Sequence, residues 1–143
     1  MGELPATVEL PWEYFERRGI LLDCRGPLSI SAHSFWGFRV AVYTESHDVS
    51  LGPIGPAFGW KIGMTVPYGV EVLAGAWIGS ESLLAGCVIG KGAIVAAGTV
   101  VRGQDVAPGV MVAGNPARVI ARWEHARWVY LSAGKSGYER RLG

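Results

Sequence analysis

The sequence has little net charge and no long apolar run, and each absence excludes a class of function. Its formal charge at pH 7 is only +1, so no basic face indicates a nucleic-acid partner. No run of about eighteen apolar residues is present, so the sequence predicts no membrane span. The N-terminus lacks the basic and apolar regions of a signal peptide. We therefore expect a cytoplasmic protein with no nucleic-acid partner and no membrane span.

Cysteine is scarce as well. The two cysteines, Cys24 and Cys87, lie far apart in the sequence and do not have the spacing of metal ligands. They are predicted to be reduced packing residues, in keeping with a cytoplasmic location.

The stretch from Val72 to Val106 instead repeats itself every six residues. A small residue usually follows the repeated aliphatic residue, as Gly79 and Ala96 do. A six-residue period is typical of a parallel β-helix, in which three faces make one coil of about eighteen residues and coils stack at roughly 4.8 Å. A sandwich of short strands is the alternative, but the phase is too regular for it. The aliphatic positions, expected to point inward, are Val72, Ile78, Leu84, Ile89, Val95 and Val101.

One step of the repeat is short. Leu84 and Ile89 are five residues apart instead of six, so one residue is missing close to Gly86. A tighter turn can absorb such a deletion, and we expect the corner of the coil to move there.

We predict a single domain over 1–143, divided into five sections. Residues 1–19 contain a short helix with Pro11 in its first turn and Gly19 at its end. Residues 20–47 form the first coils, 48–69 a Gly/Pro-rich excursion loop, and 70–106 the main β-helix. Residues 107–143 form a C-terminal segment with a helix from Ala121 to about Leu131. That helix is expected to cover the open end of the coils, where unpaired strand backbone favours aggregation.

Three motifs carry a resemblance to a known family. They are Ala-Trp-Ile-Gly-Ser at 76–80, Ile-Gly-Lys-Gly-Ala-Ile-Val-Ala-Ala-Gly-Thr-Val-Val at 89–101 and Ala-Gly-Asn-Pro-Ala-Arg-Val-Ile at 113–120. Over roughly residues 28–122 the chain resembles the hexapeptide-repeat acyltransferases, particularly the maltose, galactoside and colanic-acid O-acetyltransferases. The resemblance implies a left-handed parallel β-helix. It also implies a homotrimer whose active sites lie between subunits.

The implied reaction is transfer of an acetyl group from acetyl-CoA to a hydroxyl of a sugar or sugar-like acceptor. Thr44-Glu45-Ser46-His47-Asp48 resembles the family's catalytic segment, which makes His47 the general base in a direct ternary-complex mechanism. A base whose pKa lies near the working pH contributes about 10²–10⁴-fold in rate. Glu45, Asp48 or a backbone carbonyl would orient the imidazole. No metal is expected, because the spacing of His33, His47 and His125 does not fit the three-histidine sites of related carbonic anhydrases.

The resemblance also assigns the sites that face the thioester. The backbone amide of Ser80 would donate to the oxyanion of the tetrahedral intermediate. Trp77, just before Gly79, would pack against the pantetheine end, or else serve only as surface packing. Ala97 and Gly98 would let the pantetheine arm lie flat, a role compatible with the coil stacking that small residues also permit.

Arg102 and Arg118 are the cations expected at the phosphates of acetyl-CoA. Here the chain departs from the family, since Arg102-Gly103-Gln104-Asp105-Val106-Ala107-Pro108 stands where many relatives have Thr-Lys-Asp-Val-Pro. The N-terminal part is also short, so no residue matches the family's acceptor-holding position. An acceptor face or plain packing is predicted for the aromatic residues Phe35, Trp36, Phe38, Tyr43, Phe58 and Trp60.

Two alternatives stay open at this point. One is a non-catalytic trimeric scaffold that kept the fold, which the short repeat step and short N-terminal part favour. The other is an antibiotic-modifying acetyltransferase with the same machinery, which differs only in its acceptor.

Overall fold

The computed structural model of the protein describes residues 3–47 and 65–131. Within these ranges the chain has one short helix, α1 (Trp12–Glu16), and is otherwise built of short strands. The strands are β1 (Leu21–Leu22), β2 (Leu28–Ile30), β3 (Phe35–Trp36), β4 (Ala41–Tyr43), β5 (Glu45–His47), β6 (Thr65–Pro67), β7 (Val70–Val72), β8 (Trp77–Ile78), β9 (Leu83–Ala85), β10 (Cys87–Ile89), β11 (Ile94–Val95), β12 (Val100–Arg102), β13 (Val110–Ala113), β14 (Arg118–Glu124) and β15 (Arg127–Tyr130).

Three sheets are formed by parallel strands that the chain contributes in turn. Sheet 1 has the order β2–β7–β10, sheet 2 contains β3–β8–β11–β13, and sheet 3 has the order β1–β4–β9–β12. From β2 onward the chain visits sheet 1, then sheet 2, then sheet 3, and returns to sheet 1. We call the segments that join two successive sheets corners. The mostly-strand, parallel architecture predicted from the repeat is therefore present.

The repeated aliphatic residues form the core. In sheet 2, Trp36 pairs with Ile78 and Ile78 with Val95, and none of the three is more than 1 % exposed. Removing such stacked side chains from water is the main favourable term in folding. The same in-register, buried stacking occurs in sheets 1 and 3, for Ile30, Val72 and Ile89 and for Val42, Leu84 and Val101. The expected inward placement is confirmed, including in the first coils.

The missing residue of the repeat lies at the corner between sheets 3 and 1. A single residue, Gly86, joins β9 to β10 there, and its φ of +55° lies in the left-handed region that glycine adopts most easily. A Cβ at this position would lie 2.9 Å from the Cβ of Tyr68. The tighter turn expected at this position is confirmed, and it depends on glycine.

The chain leaves the three sheets at the same corner, between β4 and β7. Strands β5 and β6 pair antiparallel there, with Ser46 opposite Val66 and His47 opposite Thr65. The sequence predicted a loop over 48–69, but its last part, Thr65–Pro67, is strand β6. Residues 48–64 of the predicted loop lie outside the described residues.

The predicted N-terminal helix is present as α1, but it begins directly after Pro11 and ends at Glu16, before the predicted end at Gly19. Phe15 is fully buried and its ring meets that of Trp36 edge-on, with centroids 5.8 Å apart. The hydroxyl of Tyr14 accepts a hydrogen bond from the Trp36 amide at 3.1 Å. The helix therefore covers β3, the edge strand of sheet 2.

The predicted C-terminal helix is wrong. Residues 118–130 form a hairpin of β14 and β15, which adds two antiparallel strands to sheet 2 next to β13. The turn consists of His125 and Ala126, both with positive φ (51° and 61°), as two-residue turns between twisted strands require. Apolar side chains in the strands, such as Val119 and Val129, suit a half-buried sheet better than a helix. The edge of sheet 2 is therefore covered by strands.

Candidate active site

The predicted general base lies on the stem of the excursion. His47 is the last residue of β5 and pairs with Thr65 of β6. The carbonyl of Thr44, just before this stem, accepts hydrogen bonds from the amides of Tyr68 and Gly69 at 2.8 and 3.1 Å. These bonds fix both ends of the stem to the corner between sheets 3 and 1.

A cluster of charged residues contacts the start of the stem, at Thr44 and Glu45. The Asp23 carboxylate accepts hydrogen bonds from the Arg25 Nε at 2.8 Å and from the Thr44 amide at 3.1 Å. The hydrogen bond from Arg25 is the main reason that the pKa of Asp23 falls from 3.8 to about 2. Arg25 also lies 3.1 Å from a carboxylate oxygen of Glu45. Glu45, one predicted partner of His47, is therefore paired with Arg25, and Asp48 lies outside the described residues.

A groove of about 320 Å³ runs along the corner between sheets 2 and 3. Four of the predicted site residues line it together: Trp77, Gly79, Ser80 and Ala97. We call one circuit of the chain through the three sheets a pass. Gly37, Phe38 and Phe35 line the groove from the preceding pass, and the centroids of the Phe35 and Trp77 rings, which meet edge-on, are 6.1 Å apart. The structure thus brings together residues from three separate segments of the sequence.

Glycine makes the floor of this groove possible. A Cβ at Gly79 would lie 2.5 Å from the backbone nitrogen of Ala97, and one at Gly37 would lie 2.5 Å from that of Ser80. Backbone atoms this close leave no room for a side chain. Gly37 was not predicted as a site residue, although it follows Trp36 as Gly79 follows Ile78, and that repeat position was the available signal.

The backbone amide of Ser80 belongs to a residue that lines this groove. One pass earlier, the Phe38 amide donates to the Ser80 hydroxyl at 2.9 Å. The position one pass beyond Ser80 is Ala97, because Ile78 pairs with Val95, and a methyl group cannot accept a hydrogen bond. Over residues 3–47 and 65–131 the Ser80 amide has no acceptor. It is thus a donor without a partner among the described residues, and it lies on the wall of the groove.

The predicted phosphate-binding arginines lie further along the chain, both exposed. Arg118 begins β14 opposite Ala113, and Arg102 ends β12. The side chains of Arg118 and Gln104 donate to the same carbonyl, that of Ala117, at 3.3 and 3.2 Å. Arg118 therefore lies beside the segment that follows Arg102. Gly98, exposed at the corner of the groove, donates its amide to the Ser80 carbonyl at 2.9 Å.

Within one chain the predicted catalytic groups are not brought together. His47 lies on the stem at the corner between sheets 3 and 1, whereas Ser80 lies at the corner between sheets 2 and 3.

Among the aromatic residues, Trp36 is core packing and Tyr43 lies exposed on sheet 3, while Phe35 and Phe38 line the groove. Phe58 and Trp60 lie outside the described residues. In the part of the chain that is described, no group of three His, Cys, Asp or Glu side chains could hold a metal ion, and no helix is long and apolar enough to cross a membrane.

Comparison with known proteins was made by sequence and by structure. Neither a family model nor a curated protein matches the chain. Solved structures do match, and hexapeptide-repeat acetyltransferases are among them, which confirms the predicted resemblance. One is a hexapeptide-repeat acetyltransferase from Vibrio cholerae, with 27% identity over 73% of this chain and 56% of that chain, at a TM-score of 0.64. The same protein has been solved with acetyl coenzyme A, where it matches at 22% identity over 73% and 65% and a TM-score of 0.56.

Two further neighbours differ in what they act on. A maltose O-acetyltransferase from Clostridium difficile matches at 24% identity over 74% of this chain and 64% of that one, with a TM-score of 0.58. AntD, an N-acyltransferase from Bacillus cereus solved with a dTDP-aminosugar and coenzyme A, matches at 23% over 65% and 50%, with a TM-score of 0.55. The chain thus spans between half and two thirds of the length of these neighbours.

Proposed function

We propose that this chain is a left-handed β-helical acyltransferase that transfers an acetyl group from acetyl-CoA to a hydroxyl of a sugar or sugar-like acceptor. The observation that carries the proposal is the unpartnered Ser80 amide in a groove lined by Trp77, Gly79 and Ala97. A fixed donor aimed at developing negative charge is the usual means of stabilising a tetrahedral intermediate. The resemblance to acetyltransferases, at up to 27% identity, supports the same reaction class.

His47 is proposed as the general base. It would remove the proton of the acceptor hydroxyl as the oxygen attacks the thioester carbon. The imidazolium would then give this proton to the sulfur as the C–S bond breaks, so that CoA leaves as the thiol. The hydrogen bonds that the Tyr68 and Gly69 amides donate to the Thr44 carbonyl, together with the Arg25 cluster, hold the start of the strand that carries His47. Such positioning is needed because catalytic groups must stay within about 0.5 Å of the productive geometry.

The active site is proposed to lie between subunits of a homotrimer. His47 and Ser80 occupy different corners of one chain, so a single chain does not bring the two together. In a trimer the His47 stem of one subunit can face the groove of the next. The exposed apolar side chains on sheet 2 and its corner, Phe35, Phe38 and Trp77, would lose water in such an interface.

Acetyl-CoA would lie along the groove with its pantetheine arm over Ala97 and Gly98. Neither residue has a side chain that would lift the arm from the backbone, and Gly98 has open space where a Cβ would stand. The phosphates would then reach the end of the passes, where Arg118 and Arg102 are exposed. Guanidinium groups bind phosphate well because their donors match its oxygens.

Replacement of His47 by alanine tests the mechanism. We expect kcat to fall about 10²–10⁴-fold, with trimer formation and acetyl-CoA binding unchanged. His33→Ala is the matched control, because His33 is an exposed histidine at the corner between sheets 1 and 2. Unchanged turnover in the His47 variant would remove the proposed mechanism. A folded wild-type trimer without turnover or acetyl-CoA binding would favour the scaffold alternative.

A further inference from the structure

The groove at the corner between sheets 2 and 3 contains one positive charge. Arg18 follows α1 in the chain and lines the groove together with apolar and small residues of three passes. Among the described residues that line the groove it is the only charged one. Arg18 is half-buried, and partly buried charges are screened less than exposed ones. Its guanidinium therefore decides which charge the groove favours in a ligand.

The guanidinium of Arg18 is held in place by its neighbours. Its Nε donates to the Trp36 carbonyl at 3.2 Å, and its Nη1 donates to the Tyr14 carbonyl at 3.0 Å. Its central carbon lies 3.6 Å from the centroid of the Tyr14 ring, which adds a cation–π contact. The Arg18 carbonyl accepts a hydrogen bond from the Arg39 amide at 2.7 Å, which fixes the main chain as well. A cation positioned in this way loses little side-chain freedom when it binds a ligand.

No carboxylate of the described chain neutralises this cation. Over residues 3–47 and 65–131 the ion pairs are made by Arg25 and Arg39, and none includes Arg18. The two hydrogen bonds of the Arg18 side chain use Nε and Nη1, and in the same ranges Nη2 has no acceptor. A guanidinium has five N–H donors and binds a carboxylate or a phosphate through two of them. Arg18 therefore keeps both its charge and free donors for a ligand.

Arg18 lies at the end of the groove that acetyl-CoA is not proposed to occupy. Its Nε contacts Trp36, in the pass that contains β3. Ala97, proposed to lie under the pantetheine arm, belongs to the pass that contains β11, and Ser80 belongs to the pass between them. With the thioester carbon at Ser80 and the rest of CoA beyond Ala97, the end of the groove at Arg18 is left for the acceptor.

We propose that Arg18 binds a negatively charged group of the acceptor, a carboxylate or a phosphate. The inference rests on the proposed function, because the place of the acceptor follows from that of acetyl-CoA. An anion at Arg18 would orient the acceptor with its reacting hydroxyl toward Ser80. The apolar lining strengthens such a charge-assisted pair, whereas a neutral acceptor would leave a partly desolvated cation without a partner. Arg18 is thus a specificity-determining residue for the proposed reaction.

The test compares the binding of three glucose derivatives to the full chain. Methyl β-D-glucuronide carries a carboxylate, glucose 6-phosphate carries a phosphate, and methyl β-D-glucoside is neutral. We expect at least one of the two anions to bind the wild-type protein about tenfold or more tightly than the glucoside does. The preference should shrink as sodium chloride is added, because salt screens the charges. Which anion shows it distinguishes a carboxylate from a phosphate.

Two variants of Arg18 separate its charge from its packing. Arg18→Gln should bind the charged and the neutral compounds with equal affinity, and Arg18→Lys should keep part of the preference, because lysine retains the charge without the fork of donors. Arg17→Gln is the matched control: it removes the same charge from the preceding residue, which is exposed and does not line the groove. A residue that served only to fix α1 to β3 would change the urea melt of the protein and leave this ratio of affinities unchanged.

Three outcomes would overturn the inference. The first is a folded wild-type protein that binds neither anion or shows no preference for them, and the second is a preference that Arg18→Gln keeps in full. The third is competition between CoA and the preferred anion, which would assign Arg18 to a phosphate of CoA. A separate titration with acetyl-CoA distinguishes this inference from the proposed function. If acetyl-CoA fails to bind while the Arg18-dependent preference remains, the proposed function falls and the anion site stands. If acetyl-CoA binds and the preference is absent, only the role of Arg18 falls.

Discussion

Replacing Ala97 by serine should occupy the amide on which the proposed oxyanion site depends. The Ser80 hydroxyl already accepts a hydrogen bond from the amide of Phe38, one pass earlier, at 2.9 Å. A hydroxyl at position 97 stands in the same relation to the Ser80 amide, because the strands before both positions pair in register. The variant changes one exposed side chain by one oxygen atom.

The expected effect on rate follows from the strength of that new bond. A typical intramolecular hydrogen bond contributes about 1 kcal/mol net, and it must break before the oxyanion can use the amide. This alone lowers kcat about fivefold. If the serine stays in place throughout, the loss approaches the roughly 10²–10³-fold that removal of one oxyanion donor costs.

Two measurements check this prediction together. Amide hydrogen exchange at Ser80 should be slower in the variant than in the wild-type protein. With the same acceptor for both proteins, the rate of CoA release from acetyl-CoA should fall at least about fivefold. Ala107→Ser is the matched control, because Ala107 is also exposed but lies outside the groove. A protected Ser80 amide with an unchanged kcat would refute the oxyanion role.

Further predictions concern stability and reactivity. Gly79→Ala should lower the free energy of unfolding by about 2–3 kcal/mol, since a Cβ there meets backbone at 2.5 Å. Gly98→Ala should lower the free energy of unfolding by only about 1–2 kcal/mol, because a Cβ there meets no atom and only the φ of 72° disfavours it. Equal losses for the two variants in urea melts would contradict the claim that close backbone contact requires glycine at position 79. Because the folded pKa of Asp23, about 2, is below its ordinary 3.8, Asp23 stabilises the fold above pH 4 and this contribution is lost toward pH 2. The free energy of unfolding should therefore fall less steeply between pH 4 and pH 2 in Asp23→Asn than in the wild-type protein. Burial raises the pKa of Cys87 to about 12, so mass spectrometry after iodoacetamide treatment of the native protein should find label at the exposed Cys24 only.

The core was predictable because one physical rule sets it. Each inward position of the repeat must carry an apolar side chain, so the six-residue phase of Ile78 and Val95 identified buried residues directly. The tight corner at the short step near Gly86 was also predictable from the sequence, because one glycine with positive φ can close a corner. These features depend on local sequence alone.

The hairpin at the C-terminus was not predictable by the same rule. The segment that contains Trp123 and Trp128 has no period-two alternation strong enough to distinguish strand from helix, and its turn residues, His125 and Ala126, are not the usual choice for positive φ. Pairing with β13 decides the outcome, and such tertiary pairing overrides local propensity.

The candidate site was predictable only in part. The resemblance named Ser80, Trp77 and Ala97, which line one groove. It did not name Gly37, whose role appears only when successive passes stack and its missing Cβ makes room for the Ser80 backbone. The separation of His47 and Ser80 onto different corners likewise follows from the path of the chain, which no single motif contains.

Calorimetric titration of the purified protein with acetyl-CoA tests the central claim most directly. We expect saturable binding with about one site per chain in a trimer, and weaker binding in Arg118→Ala because a phosphate partner is lost. The contrary result is a folded protein that gives no binding heat with acetyl-CoA or with CoA. It would contradict the claim that the groove at Ser80 is the site of an acyl transfer.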